Sequence, residues 1–148
     1  MARVPVVRVG DILIATVAED LQDRDALRLQ EDLGRALERT GARGVLLDLS
    51  VVEVVDSFLG RLLNDVAAAT RLLGAATVVV GIRPAVAVTL VELGLELRGV
   101  HTALTPDRGL ALLGRLTAPA ARGAAGGPPS RRRRASPGGR AGADGRAR

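Results

Sequence analysis

Hydrophobic and polar residues follow two different periods along the first 117 positions. "VPVVRV" and "ILIATV", residues 4–9 and 12–17, are short β-branched runs separated by Gly10 and Asp11. Glycine at the first position of a two-residue loop suits a type II′ turn, so the pair predicts a β-hairpin. The period then lengthens. In "DRDALRLQEDLGRALERTG" the residues Ala26, Leu29, Leu33, Ala36 and Leu37 fall on one helical stripe, Glu31 and Arg35 pair at i,i+4 on the opposite face, and Asp23 is the expected N-cap. "GVLLDLS" reads as a buried strand, and "VVEVVD" leads into a helix from Ser57 to Leu73 that stops at Gly74. "ATVVVGI" is another buried strand. "RPAVAVTLVELG" is a helix, with Pro84 near its first position and Gly94 past its end. "VHTALT" and "PDRGLALLGRL" complete the series as strand and helix.

Strands alternating with helices predict an α/β fold, and the opening hairpin makes the sheet mixed: about five strands with about four helices. The helix after Pro84 has only Thr89 and Glu92 as polar residues up to Leu93. A helix that is apolar on all sides needs cover on more than one side, which makes part of it a candidate interaction surface. The pattern ends near Thr117. Residues 118–148 contain no Leu, Ile, Val or aromatic residue to bury, so a disordered tail is expected after a domain spanning 1–117.

Charge divides at the same boundary. Residues 1–117 carry 13 Arg against 15 acidic residues, a net of −2, whereas residues 118–148 carry 8 Arg against Asp144 alone, a net of +7. The basic character belongs to the tail. The chain has no Cys, which removes disulfide, thiol and thiolate-metal chemistry. His101, its only histidine, stands at the start of a strand, so a His-based metal or nucleophile site has almost nothing to build on. All 21 basic residues being Arg, there is no Lys for a P-loop, a protein kinase or a pyridoxal enzyme. No metal or cofactor is expected. Arg8 and Asp11 interrupt the N-terminal apolar run, and nowhere do the ~18 apolar residues of a spanning helix occur together. A soluble cytoplasmic chain is the expectation.

The remaining chemistry gathers in "VVDSFLGRLL", residues 54–63. Asp and Ser are both favoured helix caps. If Asp56 caps, Ser57 becomes the first helical residue and its hydroxyl stays unoccupied beside the first-turn amides, where a phosphate would meet the positive end of the helix. Helical spacing assigns Phe58, Leu59, Leu62, Leu63, Val66, Ala67 and Leu73 to the buried stripe and Ser57, Gly60, Arg61, Asn64 and Ala68 to the solvent side. Gly60 would let a partner approach closely, and Arg61 could reach a phosphate on Ser57. Spacing alone leaves open the plainer reading, in which Ser57 caps, Gly60 is tolerated and Arg61 is a solvated charge.

The stretches "QEDL", "VLLDLSVVEVVDSFLGRLLNDV" and "GIRPAVAVTLVELG" together resemble the STAS domain, most closely the RsbS type, the small antagonist and scaffold of the bacterial stressosome. The likeness runs from about Val4 to Leu116. It implies a non-enzymatic phospho-switch: a protein that sequesters a serine kinase of the GHKL ATPase type, together with larger paralogues carrying a second domain before their STAS domain, in a homo- or hetero-oligomer. Phosphorylation at the Ser of the "DSF" motif, here Ser57, releases the kinase to activate a sigma-factor cascade, and a phosphatase resets the site. Together with the cap and the solvent side of the helix read from spacing, this makes Asp56, Ser57, Gly60, Arg61 and Asn64 the expected partner-binding residues. The match starts near the first residue given, so the small subunit rather than the larger paralogue is the expectation; the Arg-rich tail departs from the pattern.

Rival readings are weaker. Asp48 lies near a strand end much as in phosphoacceptor receiver domains, but those resemble one another in a late Lys that is absent here, so a structural strand-end role is expected. No glycine-rich nucleotide loop is present. "SRRRRAS" could neutralise nucleic-acid phosphates, yet no aromatic residue is interleaved for stacking, and a solvated tail is the ordinary reading. Arg133, Arg134 and Ser136 also resemble a basophilic kinase site. The serious competitor is a simple anti-sigma factor antagonist that meets its kinase outside any large assembly.

Overall fold

The computed structural model describes residues 4–118. The expected tail, with Ser136, lies outside them. Strands β1 (Val6–Val9), β2 (Ile12–Thr16), β3 (Gly44–Asp48), β4 (Ala76–Val80) and β5 (Val100–Ala103) alternate, after the hairpin, with helices α1 (Asp23–Thr40), α2 (Ser57–Leu72), α3 (Pro84–Glu92) and α4 (Pro106–Leu116). The five strands form one sheet in the order β1-β2-β3-β4-β5, antiparallel between β1 and β2 and parallel thereafter. Gly10 is left-handed at φ 58° while Asp11 is not. A positive φ at the first loop position only is the type II′ signature, as the hairpin reading required.

Because successive parallel strands step across the sheet in one direction, crossovers of constant right hand must put their helices on a single face. That face holds the larger core. Leu13, Ala15, Val45, Leu47 and Val79 from the strands meet Leu29, Leu33 and Leu37 of α1, Leu62, Leu63 and Val66 of α2, and Val86 and Leu90 of α3. The alternate residues Leu46, Val78 and Val80 point the other way, with Ile12 and Ile14 beside them, and α4 covers them through the fully buried Leu113. Burial on both faces explains why β3 and β4 read as uninterrupted apolar runs.

Two local expectations change. Asp23 is not the cap of α1. That position belongs to Gln22, whose backbone N–H donates to Asp25 Oδ2 at 3.2 Å, so Asp25, nearly buried, reaches back across the first turn. The α3 stripe is also narrower than its composition suggests: Val86 and Leu90 are buried, but Ala85, Ala87, Val88 and Val91 are exposed. Among the described residues no helix is long and apolar enough to cross a membrane, and no group of His, Asp and Glu is arranged to hold a metal.

Candidate functional site

All four helices begin beyond the C-terminal ends of the parallel strands, the edge at which open α/β sheets place their sites. Eight residues, 49–56, link β3 to α2 there. Asp48 organises their start: its Oδ1 accepts from the Ser50 backbone N–H at 2.9 Å and from the Ser50 hydroxyl, the structural strand-end role expected of it. Gly81, at φ 75°, lies so close to Ser50 that a Cβ would collide with the hydroxyl and stand 3.0 Å from Ser50 N. From the neighbouring loop, Arg83 Nε donates to Ser50 O at 3.0 Å, and its Nη1 lies 3.3 Å from Glu53 Oε1. The linker is thus tied to the β4–α3 turn, and on the same side Leu49 N donates to Val80 O, at the end of β4, at 2.9 Å.

The linker ends at Asp56, whose extended backbone (φ −116°, ψ 178°) makes it the N-cap of α2. Its Oδ1 accepts from Leu59 N at 3.0 Å. With the cap taken, Ser57 is the first helical residue, exposed, and its hydroxyl has no partner among the described residues. Arg61, one turn on, is exposed as well. Phe58 is only half-buried: it packs against the larger core and also lines a shallow depression of ≈ 170 Å³ with Leu21, Val52, Val54 and Asp56.

Besides Phe58, which was assigned to the buried stripe, three residues depart from the positions that helical spacing gave them. Leu73 is 53% exposed, because the helix ends before it, and the buried stripe closes instead on Thr70, whose Oγ1 lies 2.6 Å from the buried Thr77 Oγ1 of β4. Gly60 is buried, not open to solvent. A Cβ there would collide with the Leu95 side chain, with Leu95 Cγ 3.2 Å away. Asn64 is partly buried and engaged within the chain: its Nδ2 donates to Glu96 O at 3.0 Å and its Oδ1 accepts from Arg98 N at 3.1 Å. The residues between α3 and β5 therefore lie on the face of α2 that spacing had assigned to solvent.

Sequence reading missed the surroundings of Ser57. Val54, 75% exposed, and Val51, 49% exposed, stand in the linker just before it. Two exposed valines in a loop with no period carry little signal by themselves. On the far side of Leu95 an apolar groove runs between α3 and β5, lined by Ala87, Leu90, Val91, Leu97 and Leu104 among others.

A family model described as the STAS domain matches residues 3–107. The chain belongs to the STAS family. Over 100 residues it is 31% identical to "RsbT co-antagonist protein RsbRA" of Bacillus subtilis, an alignment that covers 68% of this chain but only 36% of that protein, so the chain spans about a third of this relative's length. Among solved structures it is similar to RsbS of Moorella thermoacetica carrying a serine-to-glutamate substitution, with 39% identity, a TM-score of 0.68, and 78% of this chain and 97% of that one covered. A chain from the molecular architecture of the stressosome, described as a signal integration and transduction hub, matches at 38% identity and TM-score 0.68, over 78% of this chain and 100% of that one. The STAS fold inferred from the "DSF" and "GIRP" stretches is the fold observed.

Proposed function

We propose that this chain is a non-enzymatic phospho-switch of the stressosome type. Unphosphorylated, it holds a GHKL-type serine kinase in a cytoplasmic assembly with larger STAS paralogues. Phosphorylation of Ser57 releases the kinase toward a sigma-factor cascade, and a phosphatase returns the site to its starting state. The observation that carries this reading is the division of labour at the start of α2: Asp56 serves as the cap, which leaves the Ser57 hydroxyl exposed and without a partner among the described residues. Likeness to RsbS and to a stressosome chain at 38–39% identity supports the kind of assembly.

The physical logic needs no refolding. A phosphate at the first helical position adds ~1.5 to 2 negative charges where the free first-turn amides favour an anion, so the folded domain tolerates it. The same charge at the centre of an interface must be desolvated or repelled, at a cost of several kcal/mol unless it is paired. Every ~1.4 kcal/mol is tenfold in affinity, so one modification turns a tight complex into a weak one. Incubation with a GHKL-type kinase and ATP should add one phosphate, mapped to Ser57 by mass spectrometry and absent in Ser57→Ala. A chain that stays unmodified overturns the reading.

A further inference from the structure

The α3–β5 connection does not simply return to the sheet. It runs along α2 in register: Leu95 against Gly60, Glu96 and Arg98 on Asn64, and Gly99 under the guanidinium of Arg71, whose Nη2 occupies the place a Cβ at Gly99 would need. At 100° per residue, positions 57, 60, 64 and 71 share one stripe of the helix. Ser57 is therefore the first member of the row that carries this segment, and Leu95 rests one turn beyond it.

We propose that Gly60 and Asn64 are positioning residues for the phosphorylation of Ser57. Resting on the phospho-switch reading, the proposal makes residues 95–98 a fixed wall along α2, beginning one turn beyond the hydroxyl, seated by Gly60 and fastened by Asn64, against which the kinase docks. Neither residue needs to touch the kinase. The geometry accounts for a glycine in the interior of a helix, where it costs about 1 kcal/mol relative to Ala: any side chain at position 60 would have to displace the Leu95 side chain from its seat. It also accounts for the amide at position 64, which supplies a donor to Glu96 O and an acceptor to Arg98 N, two groups of a tight turn that otherwise bond only each other, at 3.0 Å. Leu95 and Leu97 pack against the larger core on their inner side, so the fastening at Asn64 settles the path of the segment rather than its presence.

The test is steady-state phosphorylation of the full chain by a GHKL-type serine kinase with ATP. Asn64→Ala removes both hydrogen bonds while the core packing of Leu95 and Leu97 and the Leu95 N–Leu90 O bond at 3.0 Å remain, so the segment stays but its path is loosened and has to be fixed on docking. KM for the chain should rise about tenfold with kcat unchanged. Amide hydrogen exchange at residues 95–98 should accelerate in the same variant. Gly60→Ala should raise KM in the same way, and Gly60→Ala combined with Leu95→Ala, which removes the colliding side chain, should recover most of the loss. Wild-type KM in Asn64→Ala, despite faster exchange at residues 95–98, overturns the positioning role and leaves the Ser57 assignment standing. Failure of the wild-type chain to accept phosphate overturns both.

Discussion

At the scale of single residues, Asp56 and Ser57 divide two tasks that either could perform alone. Asp56 is a structural group: truncating an N-cap costs about 1 kcal/mol, so Asp56→Ala should lower the melting temperature by about 4 °C while Ser57→Ala leaves it unchanged. Thermal denaturation followed by circular dichroism checks both. Binding should show the opposite ranking. Ser57→Ala should bind the kinase as the wild type does, and Ser57→Asp should bind at least about tenfold more weakly, because its carboxylate keeps its place at the helix terminus but has to be desolvated in a complex. Titration calorimetry measures the pair. Equal affinities would mean that charge at this position does not govern release.

Among elements, the two faces of the sheet are unequally protected. α1, α2 and α3 share one face, whereas among the described helices α4 alone packs on the other through Leu113. The helix can lie close to the sheet because Gly109 carries no side chain: a Cβ there would collide with Val80 Cγ1 and stand 2.9 Å from Leu46 Cδ1. Gly109→Ala exchanges a helix-propensity gain of up to about 1 kcal/mol for an overpacking cost of about 1–3 kcal/mol, so the net change should be destabilising. Gly114→Ala, on the same helix with open space around it, should stabilise. Urea unfolding of the two variants separates close approach from propensity. α3 behaves differently from both neighbours. Its outer residues Val88 and Val91 remain exposed at 56% and 78%, as expected of a helix apolar on all sides in a domain too thin to surround it.

At the scale of the whole molecule, every buried core residue among those described lies between Val4 and Leu113. Deleting residues 119–148 should therefore leave the melting temperature unchanged; a large fall would assign the Arg-rich segment a structural role. Removing it also removes the +7 that lies beyond Thr117 and leaves a weakly acidic domain. Assembly is a separate question from folding. Multi-angle light scattering of the chain mixed with a larger STAS paralogue should report a particle far larger than a heterodimer, whereas a small complex would favour an antagonist acting outside any assembly.

The elements and their order were legible in the sequence because they depend on local periods: alternation around Gly10 and Asp11, a 3.6-residue stripe from Ala26 to Leu37, and apolar runs in β3 and β4. The start of α2 and the exposure of Ser57 were legible for the same reason, but which residue caps was not: spacing left Asp56 and Ser57 as alternatives, and at α1 it offered Asp23 where Gln22 stands. Gly60 and Asn64 were not. Their angular positions on α2 were read correctly, but a helical wheel places a residue relative to its own helix and says nothing of a segment 32 or more residues later in the chain that returns to cover it. The seat of Leu95 on Gly60, and the two hydrogen bonds from Asn64 to Glu96 and Arg98, exist only once α3 and β5 have been placed beside α2. Local pattern determined that Ser57 stands exposed at the start of a helix, because a helical stripe is set by near neighbours; tertiary packing decided what lies along the same row, because those contacts join distant parts of the chain.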